Sequence, residues 1–305
     1  MPPAADTRPS TAGRFALSLG GLSVSSLKQF RGMAMEADVA LSDAGPVNAQ
    51  KKQVTNIKWT AGKATVGMGM GQALYDWIKQ SFATGSVPKN GRLVSGDVNF
   101  KAQSALDFED ALITEVAIPK LDASSKDAAY FDITFQPERV RWSKGQGEDV
   151  RPKPGPKQKA WLCSNFRIEI GSLPCARVAS VDSFAWTCAI GADRTGISRA
   201  PASRPGRVTV PDLTLKISMA DLPLWADAAK EWFVDGQHLD TDEMDGRIVF
   251  LGPDLQEKLG EITLKHVGFK KFSTDDEEAS SAKTARFTVE LYVENMTFNI
   301  TEYDA

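Results

Sequence analysis

One pattern occurs twice in this chain, and it constrains the fold more than any other feature. Phe15, Leu17, Leu19, Gly20 and Leu22 recur as Phe166, Ile168, Ile170, Gly171 and Leu173, each pair separated by 166 − 15 = 151 positions. Apolar residues at every second position, stopped by glycine, read as a half-buried strand running into a turn. A second strand follows, holding Met33 and Met35 in the first copy and Phe184 and Trp186 in the second. A chain that repeats such a unit in tandem is expected to fold as two small units side by side.

Between the copies, Ser143–Lys159 has Val150 as its one apolar residue, and Pro152, Pro154 and Pro156 alternate there. Such a stretch cannot bury itself and reads as an extended linker. The expected organisation is a flexible segment 1–13, a first unit 14–142, a linker 143–161 and a second unit 162–305. A length of 305 residues suits two domains, and 42% hydrophobic residues suffice for a core in each.

Each unit continues alike. A polar excursion, Ala37–Gln53 or Gly191–Arg207, reads as a long loop. Helices are expected at Gln72–Thr84 and Leu222–Asp235, with Leu74, Tyr75, Ile78 and Phe82 matching Leu224, Trp225, Ala228 and Trp232 on one face. Asp221 before Leu222 and Pro223 fits an N-cap, and Gly85 and Gly236 fit left-handed helix ends. Three strands close each unit. Gly91–Val94 matches Gly246–Val249, Ile113–Leu121 matches Leu264–Phe272, and Phe131–Trp142 matches Phe287–Phe298. The fold class is mostly β with one helix per domain (α+β), as two tandem barrels or sandwiches.

Charge excludes some classes. The net charge of −3 argues against a surface that grips nucleic acid throughout. The units differ electrically: Arg14–Trp142 carries 15 basic and 13 acidic residues, Leu162–Ala305 carries 15 and 23. No apolar run reaches the roughly 18 residues that span a bilayer, and residues 1–13 lack the apolar stretch of a secretory signal. Three cysteines, Cys163, Cys175 and Cys188, do not make a disulfide framework.

Chemical motifs are weak. Gly67-Met-Gly69-Met-Gly71 before a helix invites a phosphate-binding reading, but its spacing is not that of a dinucleotide loop. A nucleotide- or ligand-binding enzyme built on Gly67–Gly71 is the alternative from another class. The cysteines with His238 or His266 lack zinc spacing, and no nucleophile elbow appears. His266 is expected on an exposed strand face, equivalent to Glu115. The reading therefore calls for no catalytic residue, no metal and no cofactor.

The ordered set resembles the tail-tube fold of contractile phages and phage-like injection systems. The Phe15–Leu22 opening strand carries the resemblance, with the Leu74-Tyr75-Asp76-Trp77-Ile78 helix and the Ile113-Thr-Glu-Val116-Ala-Ile118 strand. The resemblance implies a structural protein whose barrels form (pseudo-)sixfold rings, with edge strands paired across subunits and rings stacked into a tube. Two copies per chain also fit a trimeric baseplate hub or a tube-initiating adaptor. Expected partners are further copies of the chain and sheath, baseplate or spike proteins, with DNA or protein cargo in a lumen. The expected location is a virion tail or an injection particle assembled in the cytoplasm. The candidates for subunit or ring-stacking contacts are Asp38, Asp43, Pro46, Lys51, Lys52, Asp193, Arg194, Arg199, Arg204 and Arg207 in the excursions, and Trp77 on the helix.

Overall fold

The computed structural model describes residues 14–24, 27–43, 50–150, 161–193, 202–274 and 285–301. They form 19 strands and two α-helices, a mostly β chain as the alternating pattern requires. The first unit contains β1 (Arg14–Leu19), β2 (Leu22–Val24), β3 (Leu27–Gly32), β4 (Met35–Asp43), β5 (Gln50–Trp59) and β6 (Gly62–Val66). It continues with α1 (Gln72–Thr84), β7 (Lys89–Gly96), β8 (Ala102–Ile118), β9 (Leu121–Asp122), β10 (Phe131–Gln136) and β11 (Arg139–Lys144). The second contains β12 (Phe166–Ile170), β13 (Val178–Val181), β14 (Phe184–Asp193), β15 (Ala202–Thr209) and β16 (Leu213–Ser218). After a 3₁₀ turn at Met219–Asp221 come α2 (Leu222–Phe233), β17 (Met244–Leu251), β18 (Lys258–Thr274) and β19 (Arg286–Ile300).

Strand order is the same on both sides. The first sheet runs β2-β1-β7-β8-β10-β6-β3 and the second β12-β17-β18-β19-β16-β13-β9. From β1 and β12 inward, each strand has its counterpart at the same place, and β19 alone does the work of β10 and β11. Registers agree in detail. Leu27 opposes Val66 and Val178 opposes Ile217, a shift of 178 − 27 = 151, and a bulge follows at the same point in each.

Beyond the helices the shift changes. Gly91 opposes Phe108 and Gly246 opposes Leu264, so the late strand is displaced by 264 − 108 = 156. Phe135–Ile113 and Leu291–Phe269 give the same 156. The expected match of Ile113–Leu121 to Leu264–Phe272 is therefore out of register by five residues. The counterpart of His266 is Asp110, not Glu115. Both sit at a bulge, in the left-handed region, with φ of 49° at Asp110 and 56° at His266. The helix faces also differ from expectation by one residue in the second unit. Trp225, Ala229 and Trp232 are the buried residues of α2, whereas Leu224 is exposed. Gly85 and Gly236 take left-handed φ of 81° and 78° after the helices, as expected.

The two excursions are not loops. β4 with β5, and β14 with β15, are hairpins whose strands reach Asp43 and Gln50, and Asp193 and Ala202. Residues 44–49 and 194–201 lie outside the described residues. On the first hairpin nearly every side chain is exposed. Met35, Ala37, Val39 and Leu41 do alternate with Glu36, Asp38 and Ala40, but the mostly polar run from Ser42 to Gln53 makes the segment read as a loop.

The core is continuous across the chain, where two separate cores were expected. Trp161 stacks on Phe131 at 5.0 Å and meets Phe250 at a tilt of 60° and 4.7 Å, joining the units. Phe298 lies 5.3 Å from Phe131. The expected linker is ordered where it is described. Val150 is buried against Val94, Ala102 and Ala105, and Lys101 bridges Asp149. Residues 151–160 lie outside the described residues.

Candidate assembly interface

The units are stitched by two strand pairings. β14 adds to the first sheet along β8, with Phe184 opposite Ile118, Ala185 opposite Ala117, Trp186 opposite Val116 and Thr187 opposite Glu115. In return β9 adds to the second sheet along β13, with Leu121 opposite Val181. Burial explains why β14 holds there. Trp186 is 1% exposed and stacks on Phe82 of α1 at 5.0 Å and 17°. Aromatic stacking and the burial of two large rings favour this arrangement over open edges.

The counterpart edges in the other halves are open. Hairpin β4–β5 pairs with no other strand among the described residues, and β3 ends its sheet. On β18, pairing with β17 stops at Val267, while residues up to Thr274 pair with β19 on one side only. Met35, Val39, Leu41 and Val54 are exposed on the first hairpin. Unpaired edges beside apolar side chains are surfaces that another chain can complete.

The expected contact residues fall in different places. Asp38 lies on β4, pairs with Lys58 at 3.0 Å and receives a hydrogen bond from Asn56. The hydrogen bond from Lys58 and its charge hold the Asp38 carboxyl below the usual carboxylate range. Lys51 and Lys52 stand exposed on β5, and Arg204 and Arg207 exposed on β15. Asp43 and Asp193 end their strands, and Pro46, Arg194 and Arg199 lie outside the described residues. Trp77 corrects an expectation. It is 0% exposed, donates from Nε1 to the Val87 carbonyl at 2.6 Å and packs on Phe135, so no neighbour can reach it. Sequence reasoning missed Trp186 and Phe82 as residues of the junction between the units. Their signal was available as aromatics at the ends of matched elements.

The chemically suggestive residues are occupied structurally. Met68 and Met70 are buried on either side of Gly69, and the Gly71 carbonyl accepts from Leu74 and Tyr75. The three cysteines are free thiols. Glu243, His266 and Glu294 gather within 4.8 Å, with His266 Nδ1 2.9 Å from Glu243 and Tyr292 donating to the same carboxylate at 2.6 Å. Burial and the hydrogen bond to Glu243 push the Tyr292 phenol well above its usual range. No helix among the described residues is long and apolar enough to cross a membrane.

The described residues are mostly β and present open strand edges. Residues 11–141 match the family model described as T4-like virus tail tube protein gp19. The match ends inside β11. No curated protein matches the sequence.

Three solved structures illustrate the likeness. The tube-terminating cap of the anti-feeding prophage is 21% identical and aligns over 46% of this chain and 95% of its own, with a TM-score of 0.41. The sheath–tube complex of an extracellular contractile injection system, in the extended state, is 21% identical over 45% of this chain and 93% of its own, with a TM-score of 0.40. The six-fold symmetrised baseplate of the anti-feeding prophage is 15% identical over 48% of this chain and 97% of its own, with a TM-score of 0.34.

Proposed function

We propose that the chain carries two tail-tube domains in tandem, 14–142 and 162–305, and that three copies close a pseudo-sixfold ring that stacks as a tube. The observation that carries this reading is the shared strand order, with bulges at the same points and one edge of each kind left unpaired. A head-to-tail interface of this kind closes into a ring or runs on as a filament, and closure removes every free edge. Sheath, baseplate or spike proteins are the partners of such a ring, and DNA or protein is its cargo. The part is mechanical, acting through strand pairing and stacking. The tips of the two hairpins, with Lys51, Lys52, Arg204 and Arg207 behind them, are the proposed ring-to-ring contacts.

Electron microscopy of the purified chain tests this. Long tubes built of rings with threefold repeat are expected. Discrete rings that do not stack would instead favour a hub or tube-initiating adaptor, and a concentration-independent monomer would overturn both. Shortening 44–49 or 194–201 to a two-residue turn is expected to stop stacking and leave rings. Normal tubes from both variants would refute the stacking role.

A further inference from the structure

The junction inside the chain specifies the junction between chains. This inference rests on the proposed self-assembly and adds its residue-level register. Within the chain, β14 lies on β8 with Trp186 opposite Val116 and Thr187 opposite Glu115. The counterparts of β14 residues stand 151 positions earlier, because Leu27–Val66 and Val178–Ile217 fix that shift, as do Glu36–Lys58 and Thr187–Thr209. The counterparts of β8 residues stand 156 positions later, because Phe135–Ile113 and Leu291–Phe269 fix that one.

We propose that β4 of one copy, together with the two residues before it, pairs antiparallel with the open edge of β18 in the next copy, with Met33 opposite Thr274, Ala34 opposite Ser273, Met35 opposite Phe272 and Glu36 opposite Lys271. Three further features support this register. First, burial is complementary. Trp186 is 1% exposed and Phe82 beneath it 8%, while their counterparts Met35 and Phe233 are 56% and 48% exposed. The shift at the helix is 151 as well, since buried Leu74, Ile78 and Ser81 match buried Trp225, Ala229 and Trp232. Seating Met35 over Phe233 repeats the contact of Trp186 with Phe82 and covers both. A thioether on an aromatic ring is a favourable contact. Second, charge is complementary, because the register sets the Glu36 carboxylate directly across from the Lys271 ammonium. Third, among the described residues no strand pairs with β18 over this stretch on the required side.

Disulfide trapping tests the register. The full chain would carry Met35→Cys with Phe272→Cys, or Glu36→Cys with Lys271→Cys, under mild oxidation. Directly opposed residues on antiparallel strands lie about 4.5–5.5 Å apart at Cα, within reach of a disulfide. The expected result is a thiol-reversible ladder of linked chains from at least one of these adjacent pairs and none from the single variants. Glu36→Cys with His266→Cys, displaced by five residues or about 16 Å along the strand, should not link. Linking of the displaced pair, or of neither opposed pair while the wild type forms rings, would overturn the register and leave the ring standing. A wild-type chain that stays monomeric would overturn both. A second readout uses Phe233→Ala, expected to raise the concentration for half-assembly about tenfold with an unchanged melting temperature for the dilute chain. Unchanged assembly would refute the seating of Met35.

Discussion

Hairpins β4–β5 and β14–β15 share a register and a bulge, yet the base of β14 is buried in protein while β4 and β5 face solvent. Ala37 and Val39 flank the bulge in the first, and Cys188 and Ile190 in the second. Trp186 and Cys188 are buried, whereas Met35 and Val39 are more than half exposed. The strands therefore do not set their own burial. What lies across the edge sets it, and for β14 that is β8 and Phe82 of the same chain. The residue types differ with it: Trp186 where the paired strand belongs to the same chain, and Met35 at the open edge.

The largest expected effect would break this contrast if it failed. Trp186→Ala removes a fully buried ring, and about 3–5 kcal/mol of stability should go with it. Met35→Ala, at the matching place, should change the stability of the dilute chain by less than about 0.5 kcal/mol. Urea unfolding of both at low protein concentration measures the pair, and equal losses would mean that the two hairpins are not alike in kind. Phe82→Ala against Phe233→Ala asks the same of the helices. About 3 kcal/mol is expected at Phe82, 8% exposed, and under about 1 kcal/mol at Phe233.

A smaller effect lies on the second stitch, β9 on β13. Asp122 opposes Ser180 there and accepts from the Ser124 hydroxyl at 2.6 Å, the Ser124 amide at 3.0 Å and Lys120 at 3.2 Å. The Ser124 hydroxyl is the foremost cause that lowers its carboxyl from 3.8 to about 2. A carboxyl depressed in the folded state stabilises the fold above its unfolded value and loses that contribution as pH falls toward the folded one. Stability should thus drop by about 2 kcal/mol between about pH 4 and pH 2, on the scale of 1.36 kcal/mol per unit. Asp122→Asn should flatten that part of the profile in pH-dependent urea unfolding. An unchanged profile would show that this end of the junction does not depend on the charge.

Much of this was legible in the sequence, and the reasons for the rest are physical. Strands with one buried face, such as β1, β10 and β16, announce themselves by alternation. Helix ends announce themselves through Gly85 and Gly236. The five-residue slip in the late strand arises because Leu264, Val267 and Phe269 repeat the spacing of Phe269, Phe272 and Thr274. A bulged strand presents its apolar face at uneven intervals, so both alignments satisfy the pattern, and only hydrogen-bond register separates them. In the first hairpin Met35, Ala37, Val39 and Leu41 alternate, but the Gly-, Pro- and Lys-containing run after them reads as a loop. Trp161 lies beside a proline-rich stretch, and nothing local says that its ring ends between Phe131 and Phe250. Trp77 was misassigned because it sits beside the main apolar stripe, yet α1 is buried over a wider arc than that stripe.

The smallest effect sharpens the comparison at the edge of the cores. Val24 and Cys175 occupy matching places 151 positions apart, Val24 buried and Cys175 half-buried. If the two sites are equivalent, Cys175→Val installs the residue that the first unit already uses, and a swap of similar volume should shift stability by less than about 1.5 kcal/mol. Burial pushes the Cys175 thiol up to about 11, so little thiolate exists near neutral pH. Alkylation by iodoacetamide should therefore be slow at pH 8 and rise about tenfold per pH unit toward 11. Mass spectrometry of timed samples would follow this thiol apart from buried Cys163 and Cys188. Rapid labelling at pH 8 would mean that the second unit opens where the first, closed over Val24, does not, and the likeness of the two units would end at that turn.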